Sequence, residues 1–263
     1  MRKIKFTKMA ASGNDFVLID SRKSKVRGVP LLAKNICDRK YGVGADGLLV
    51  LERSRSANAR MRIFNADGSE AEMCGNGARC CVFYIGRDKT RLETKAGTIE
   101  SSLKKDIVKI RLTDPKNIRP DLSIKVNNRN LKVNFIDTGV PHAVIFVEGL
   151  DEIHVRQIGR AVRNHKVFSP RGTNVDFVEV LNEDSLGIRT YERGVEDETL
   201  ACGTGSVASA VIFALKIARK NKISVHTKSG EILKVYFKRI NNSFRDVWLE
   251  GKAKIIHKGE YYV

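Results

Sequence analysis

The strongest constraint on this chain is that it repeats itself. Cys74 opens a C-G-N-G run at 74–77 and Cys202 opens C-G-T-G at 202–205, 128 residues apart in a chain of 263. The surroundings repeat too. M-R-I-F-N-A-D-G-S-E (61–70) parallels G-I-R-T-Y-E-R-G (187–194), and T-K-A-G-T-I (94–99) parallels T-K-S-G-E-I (227–232). Gly13 in S-G-N-D-F-V matches Gly139 in T-G-V-P-H-A-V at an offset of 126. Several short matches in one order at nearly constant spacing predict two copies of one fold.

Local patterning agrees. Short β-type runs predict strands at 4–9, 16–20, 47–50, 60–64 and 107–112, then again at 131–137, 143–147, 176–180, 188–191 and 232–237. Each C-G-x-G leads into a helix-like segment, 78–86 and 206–220, and a further helix precedes it, near 31–38 and 153–164. The segment after Cys202 is apolar on nearly every face, as a helix enclosed by sheet would be. Pro115 and Pro120 suggest a boundary. The expected class is α/β (α+β), with two similar domains, each a mostly antiparallel curved sheet or barrel around a central helix. The first would hold 1–117 plus 252–263 and carry Cys74. The second would hold 118–251 and carry Cys202.

Composition narrows the function classes. The longest apolar stretch, 207–218, is too short for a bilayer and contains Lys216, and the first 20 residues show no signal-peptide pattern. A cytoplasmic protein without membrane contact is expected. The formal charge of +18 raises nucleic-acid binding, but the basic residues are dispersed and aromatics, at 7%, are not interleaved with them. A basic solvated surface is the simpler reading, and no nucleic-acid partner is expected. Five cysteines at 37, 74, 80, 81 and 202 include no C-x-x-C pair, so neither a disulfide framework nor a zinc site is expected.

A cysteine before a glycine-rich turn into a helix sits at the helix N-terminus. There the partial positive charge favours thiolate, and free N–H groups can hold a carboxylate. Two such elbows facing each other across a pseudo-two-fold axis would place one sulfur on each side of a substrate carbon. One removes a proton and the other delivers one to the opposite face, which is the geometry of stereoinversion. Cys37, Cys80 and Cys81 lack the repeated context and read as core. Two facing cysteines could also belong to a thiol redox protein.

Longer stretches carry a family resemblance. F-N-A-D-G-S-E-A-E-M-C-G-N-G-A-R-C (64–80) and Y-E-R-G-V-E-D-E-T-L-A-C-G-T-G (191–205) closely resemble diaminopimelate epimerases. So do S-G-N-D-F-V-L-I-D (12–20), Y-G-V-G-A-D-G-L-L (41–49), T-G-V-P-H-A-V (138–144) and R-G-T-N-V-D-F-V (171–178). The resemblance implies interconversion of LL- and meso-2,6-diaminopimelate, on the route to lysine and peptidoglycan. It implies no PLP, no other cofactor and no metal, a small-molecule substrate, a homodimer, and a C-terminal segment that returns to the first domain. Proline or hydroxyproline racemases are the nearest rival family.

The resemblance makes Cys74 and Cys202 the acid–base pair. Gly75, Asn76, Gly203 and Thr204 would hold the carboxylate at the reacting carbon. Asn14, Asn65, Asn174, Glu192 and Arg193 would contact substrate, with His142 close to the reacting centre. The chemistry is apt, because a guanidinium fork suits a carboxylate and asparagines tell ammonium from carboxylate. Bland readings stand beside these: a turn for Asn65, an ion pair with Arg193 for Glu192, and a satisfied structural histidine for His142. His154, His165, His226 and His257 have no motif context. Where some members carry Gln and Asn, this chain has Gly47 and Val140, so those side-chain contacts are absent here.

Overall fold

The computed structural model describes residues 3–241 and 243–263. By its contacts the chain forms two compact units, 1–111 with 250–263, and 112–249.

The first unit runs β1 (Lys3–Ala11), β2 (Asn14–Asp20), α1 (Val29–Cys37), β3 (Gly47–Glu52), β4 (Ala59–Asn65), β5 (Glu70–Ala71), α2 (Gly75–Ile85), β6 (Lys89–Thr94), β7 (Gly97–Lys104) and β8 (Ile107–Arg111). After one extra leading strand, β9 (Lys116–Val126), the second repeats that order: β10 (Arg129–Asp137), β11 (Pro141–Phe146), α3 (Val155–Arg163), β12 (Asn174–Asn182), β13 (Ser185–Glu192), β14 (Asp197–Thr199), α4 (Gly203–Lys216), β15 (Lys222–Thr227), β16 (Ile232–Ile240) and β17 (Ser243–Lys252). The last strand, β18 (Lys254–Tyr262), pairs antiparallel with β1, as β9 pairs with β10. The fold is α/β, built as two similar domains.

The pairings repeat strand for strand. β2 and β3 are parallel, as are β11 and β12. β3–β4 matches β12–β13 in antiparallel pairing, and β4 beside β6 matches β13 beside β15 in parallel. Even an ion triad recurs. Glu70 takes Arg62 Nε at 2.7 Å and Lys95 Nζ at 3.1 Å, and Glu198 takes Arg189 Nε at 2.7 Å and Lys228 Nζ at 2.7 Å. Lys95 and Lys228 are the lysines of the repeated T-K-A-G and T-K-S-G runs, so the triad explains part of the sequence repeat.

Strand β3 is buried on both faces, which is why Leu48-Leu49-Val50-Leu51 is continuously apolar rather than alternating. Val17, Ile19, Leu48, Val50 and Phe64 pack in one core with Val29, Leu32, Ala33 and Ile36 of α1, residues spaced as one helical face requires. In the second unit Val155 and Val162 of α3 join Ala143, Ile145, Val175, Phe177 and Tyr191. The opposite faces meet α2 and α4. Ten residues of α4, Gly205–Ala214, are buried, and each fully buried Val, Ile or Phe among them contributes about 1.5–3 kcal/mol.

Some sequence expectations shift. α2 and α4 begin at Gly75 and Gly203, three residues earlier than apolar periodicity indicated, because the glycines themselves form the first turn. Helix α4 stops at Lys216, where Ile217 leaves helical geometry, rather than at Lys220. Pro120 lies within β9, an outer strand that tolerates a missing donor. Strands at 89–94, 97–104, 116–126, 222–227, 243–252 and 254–262 also go beyond the sequence reading, being short, charged or exposed.

Candidate active site

In the first unit Cys74 caps α2 in extended conformation, and its Sγ accepts from the Gly77 N–H at 3.5 Å. Sulfur is a weak acceptor as a thiol and a better one as thiolate, so this N–H and the helix terminus favour the charged form. Asn76 is buried at the second helical position. Its Nδ2 donates to Asn14 Oδ1 at 2.7 Å, and its Oδ1 accepts from Arg79 at 2.7 Å. Asn14 Nδ2 donates in turn to Asp46 Oδ2 at 3.0 Å. Asp46 shares Arg39 with Asp15, and Lys8 also pairs with Asp15 at 2.6 Å. Burial pushes the Asp15 carboxyl up, but the hydrogen bonds from Arg39 and Lys8 outweigh it and hold the group at about 2.

Asn65 stands apart from this network. It is exposed, and its Nδ2 donates to Ser69 Oγ at 2.9 Å while its carbonyl accepts from the Gly68 N–H, so it closes the N-A-D-G-S turn. The turn reading of Asn65 is thus realised in the structure. Gly47 sits so close to the neighbouring strand that a Cβ would lie 2.8 Å from the Phe64 carbonyl oxygen. A longer side chain there requires the backbone to move.

In the second unit Cys202 caps α4 in the same way, accepting from the Gly205 N–H at 3.4 Å. It is buried, and its Sγ lies 3.4 Å from Thr204 Oγ1. Burial raises the Cys202 thiol well above its ordinary range, with the Glu192 and Asp176 carboxylates adding to the effect. The Thr204 hydroxyl and the Gly205 N–H beside the sulfur act the other way and lose. The sequence expectation of a lowered thiol is corrected here, because desolvation of a thiolate outweighs a helix terminus.

His142 is fully buried, with Nδ1 2.7 Å from Asp176 Oδ2 and Nε2 3.0 Å from Thr204 Oγ1 and 3.3 Å from Asn174 Nδ2. Asn174 Oδ1 accepts from the Arg193 N–H at 2.8 Å. The Arg193 guanidinium donates to the Arg171 carbonyl at 2.9 Å. Glu192 is half-buried, and burial raises its carboxyl, with the Thr199 hydroxyl opposing. The structure therefore gathers Asn14, Gly75 and Asn76 around Cys74. It gathers His142, Asn174, Glu192, Gly203 and Thr204 around Cys202, with the Arg193 N–H bonded to Asn174.

The other cysteines behave as core. Cys37, Cys80 and Cys81 are buried, and desolvation pushes the Cys37 thiol up to about 11. Sequence reasoning passed over Arg79, which is fully buried and donates to Ser12 at 2.6 Å, and over Asp176 and Thr190. A signal for Asp176 was present: one carboxylate interrupting the apolar run N-V-D-F-V, opposite Leu49 in the repeat.

Comparison with known proteins adds a second line. The family model for diaminopimelate epimerase matches residues 6–117 and 134–255. The chain belongs to the diaminopimelate epimerase family. It is 40% identical to the diaminopimelate epimerase of Aquifex aeolicus (strain VF5), over 97% of each chain. It is 41% identical to that of Methanocella arvoryzae, covering 99% of this chain and 97% of the relative. Among solved structures, a Bacillus anthracis phenazine biosynthesis protein of the PhzF family aligns at TM-score 0.77 and 17% identity over all of both chains. A probable proline racemase from Agrobacterium radiobacter K84 aligns at TM-score 0.71 and 15% identity, covering 99% of this chain and 92% of that one. At these identities the structural neighbours show a shared fold alone. No helix among the described residues is long and apolar enough to cross a membrane.

Proposed function

We propose that this chain interconverts LL- and meso-2,6-diaminopimelate, with Cys74 and Cys202 as the acid–base pair and no cofactor. One observation carries the reading. In a chain of this family, each half of a duplicated fold ends a strand-to-helix turn in a cysteine whose sulfur accepts from the third-residue glycine N–H. One thiolate removes the α-proton, the C–H electrons pass toward the carboxylate, and the other thiol gives its proton to the opposite face of the carbon. The N–H groups that open α2 and α4 supply positive potential for the charge that grows on that carboxylate. Asn14, Asn76, Asn174, Glu192, Arg193 and Thr204 are proposed to bind substrate. Asn65 is placed with them by its motif, its side chain leaving Ser69 to do so.

The distal end separates this reading from a proline racemase. Arg193 with Asn65 and Asn174 suits a second amino-acid head, which proline lacks. A homodimer in the cytoplasm accords with the family. The test is deuterium incorporation at the α-carbon of pure LL- and meso-diaminopimelate in heavy water. Epimerisation with exchange is expected. Exchange and inversion of proline, with neither on diaminopimelate, would replace this reading with its rival.

A further inference from the structure

Cys202 ends a chain of hydrogen bonds that runs back into the core of the second unit. Thr190 Oγ1 donates to Asp176 Oδ1 at 2.8 Å, Asp176 Oδ2 meets His142 Nδ1 at 2.7 Å, His142 Nε2 meets Thr204 Oγ1 at 3.0 Å, and Thr204 Oγ1 lies 3.4 Å from Cys202 Sγ. Asp176 and His142 are wholly shielded from solvent and Thr190 is 3% exposed.

The direction of these bonds follows by elimination. The Arg193 N–H takes Asn174 Oδ1, so the Asn174 amide nitrogen faces His142 Nε2. Two N–H groups do not face each other, so Nε2 carries the lone pair and the proton sits on Nδ1, donated to Asp176. Thr204 then donates its hydroxyl proton to Nε2 and turns its lone pairs toward Cys202, which presents S–H.

In the first unit the matching strand positions are apolar. By strand register, Phe16 and Gly47 correspond to His142 and Asn174, and Leu49 and Ile63 to Asp176 and Thr190. Packing confirms the match. A Cβ on Gly77 would meet Leu49 and Ile63, while one on Gly205 would meet Asp176. One half of the duplication thus fills this layer with apolar side chains and the other with a carboxylate, an imidazole and a hydroxyl. Burying such groups costs free energy that Leu, Phe and Ile do not cost.

We propose that Asp176 is a positioning residue for Cys202. It holds His142 as a proton acceptor reached through Thr204, so that Cys202 rests as thiol and becomes thiolate by passing its proton inward. In that step the S–H bond breaks, Thr204 takes the proton while giving its own to Nε2, the Asn174 amide gives up its 3.3 Å contact with Nε2, and the imidazolium formed is held against the Asp176 carboxylate. Net charge is unchanged and no other reactant is needed. Burial, which disfavours the Cys202 thiolate, is what makes a nearby acceptor useful. Cys74, whose half carries Phe16, Leu49 and Ile63 at the matching strand positions, is then not equivalent to Cys202.

The inference rests on the reading of function above, and the experiment separates the two. α-Hydrogen exchange is followed by NMR on each pure diaminopimelate isomer with Cys74→Ala, where Cys202 acts alone, and with Cys202→Ala, where Cys74 acts alone. Adding Asp176→Asn keeps the shape and removes the charge. It is expected to slow exchange by Cys202 about tenfold or more, and exchange by Cys74 less than about twofold. Thr190→Val, which leaves the carboxylate but removes one bond that aims it, should show the same pattern at smaller amplitude. Equal losses in both backgrounds assign Asp176 to packing and overturn the proposal, as does unchanged exchange by Cys202. Absence of exchange from both single-cysteine variants and of epimerisation from the unaltered protein overturns the functional reading, and the proposal with it.

Discussion

Gly205 lies directly over Asp176, so closely that a Cβ on the glycine would overlap the carboxylate oxygen Oδ1. The equivalent glycine of the first unit, Gly77, would place its Cβ 2.9 Å from Leu49 Cδ2. The third residue of each C-G-x-G run is thus small because a helix end presses on a strand there. A flexible leucine tip yields more cheaply than a hydrogen-bonded buried carboxylate. Gly205→Ala should therefore destabilise more than Gly77→Ala, with overpacking costs of about 1–3 kcal/mol. Urea unfolding of both variants checks this, and equal midpoints would contradict it.

Glu70 links pH to stability. Hydrogen bonds from Arg62 and Lys95 hold its carboxyl at about 2, against an ordinary 4.5. A carboxyl depressed in the folded state contributes its full stability above pH 4.5 and loses it as the pH falls toward 2. Solvent screening limits the effect to about 1 kcal/mol. Glu70→Gln should flatten this part of the curve, and an unchanged slope between pH 4.5 and 2 would show that the triad does not couple to folding.

Arg193 tests substrate recognition. Its guanidinium is half-buried and bonded only to a carbonyl oxygen among the described contacts, so a carboxylate can recruit it. Arg193→Met should lower kcat/KM on diaminopimelate by about 2–3 kcal/mol in transition-state terms. Unchanged kinetics would assign the side chain to the Arg171 loop.

The two cysteines should fail differently. Cys74→Ala and Cys202→Ala should each abolish epimerisation, because the donor on one face is lost, while retaining exchange of opposite isomers. Substantial epimerisation by either variant would replace the paired-thiol mechanism with a one-base route.

Epimerisation should survive EDTA, and the purified protein should lack PLP absorbance. Activity lost on chelation and restored by a metal would overturn the cofactor-free mechanism.

The sequence alone determined the duplication, the strand-to-helix elbows and the family, because these live in local spacing. Cys-Gly-x-Gly dictates a cap and a tight first turn wherever it occurs, and repeated motifs need no third dimension to be counted. Tertiary structure decided what the local pattern leaves open. Asn65 turns its amide back on Ser69, which its motif could not distinguish from a substrate contact. His142 finds Asp176, 34 residues away in the chain, across two adjacent parallel strands. Desolvation at Cys202 overrides the helix terminus that the sequence placed there, since burial is a sum over neighbours from many segments. The difference between the two thiols is likewise tertiary: equivalent strand positions hold Leu49 in one half and Asp176 in the other, and only the packing of each helix end onto its strand shows which cysteine that carboxylate serves.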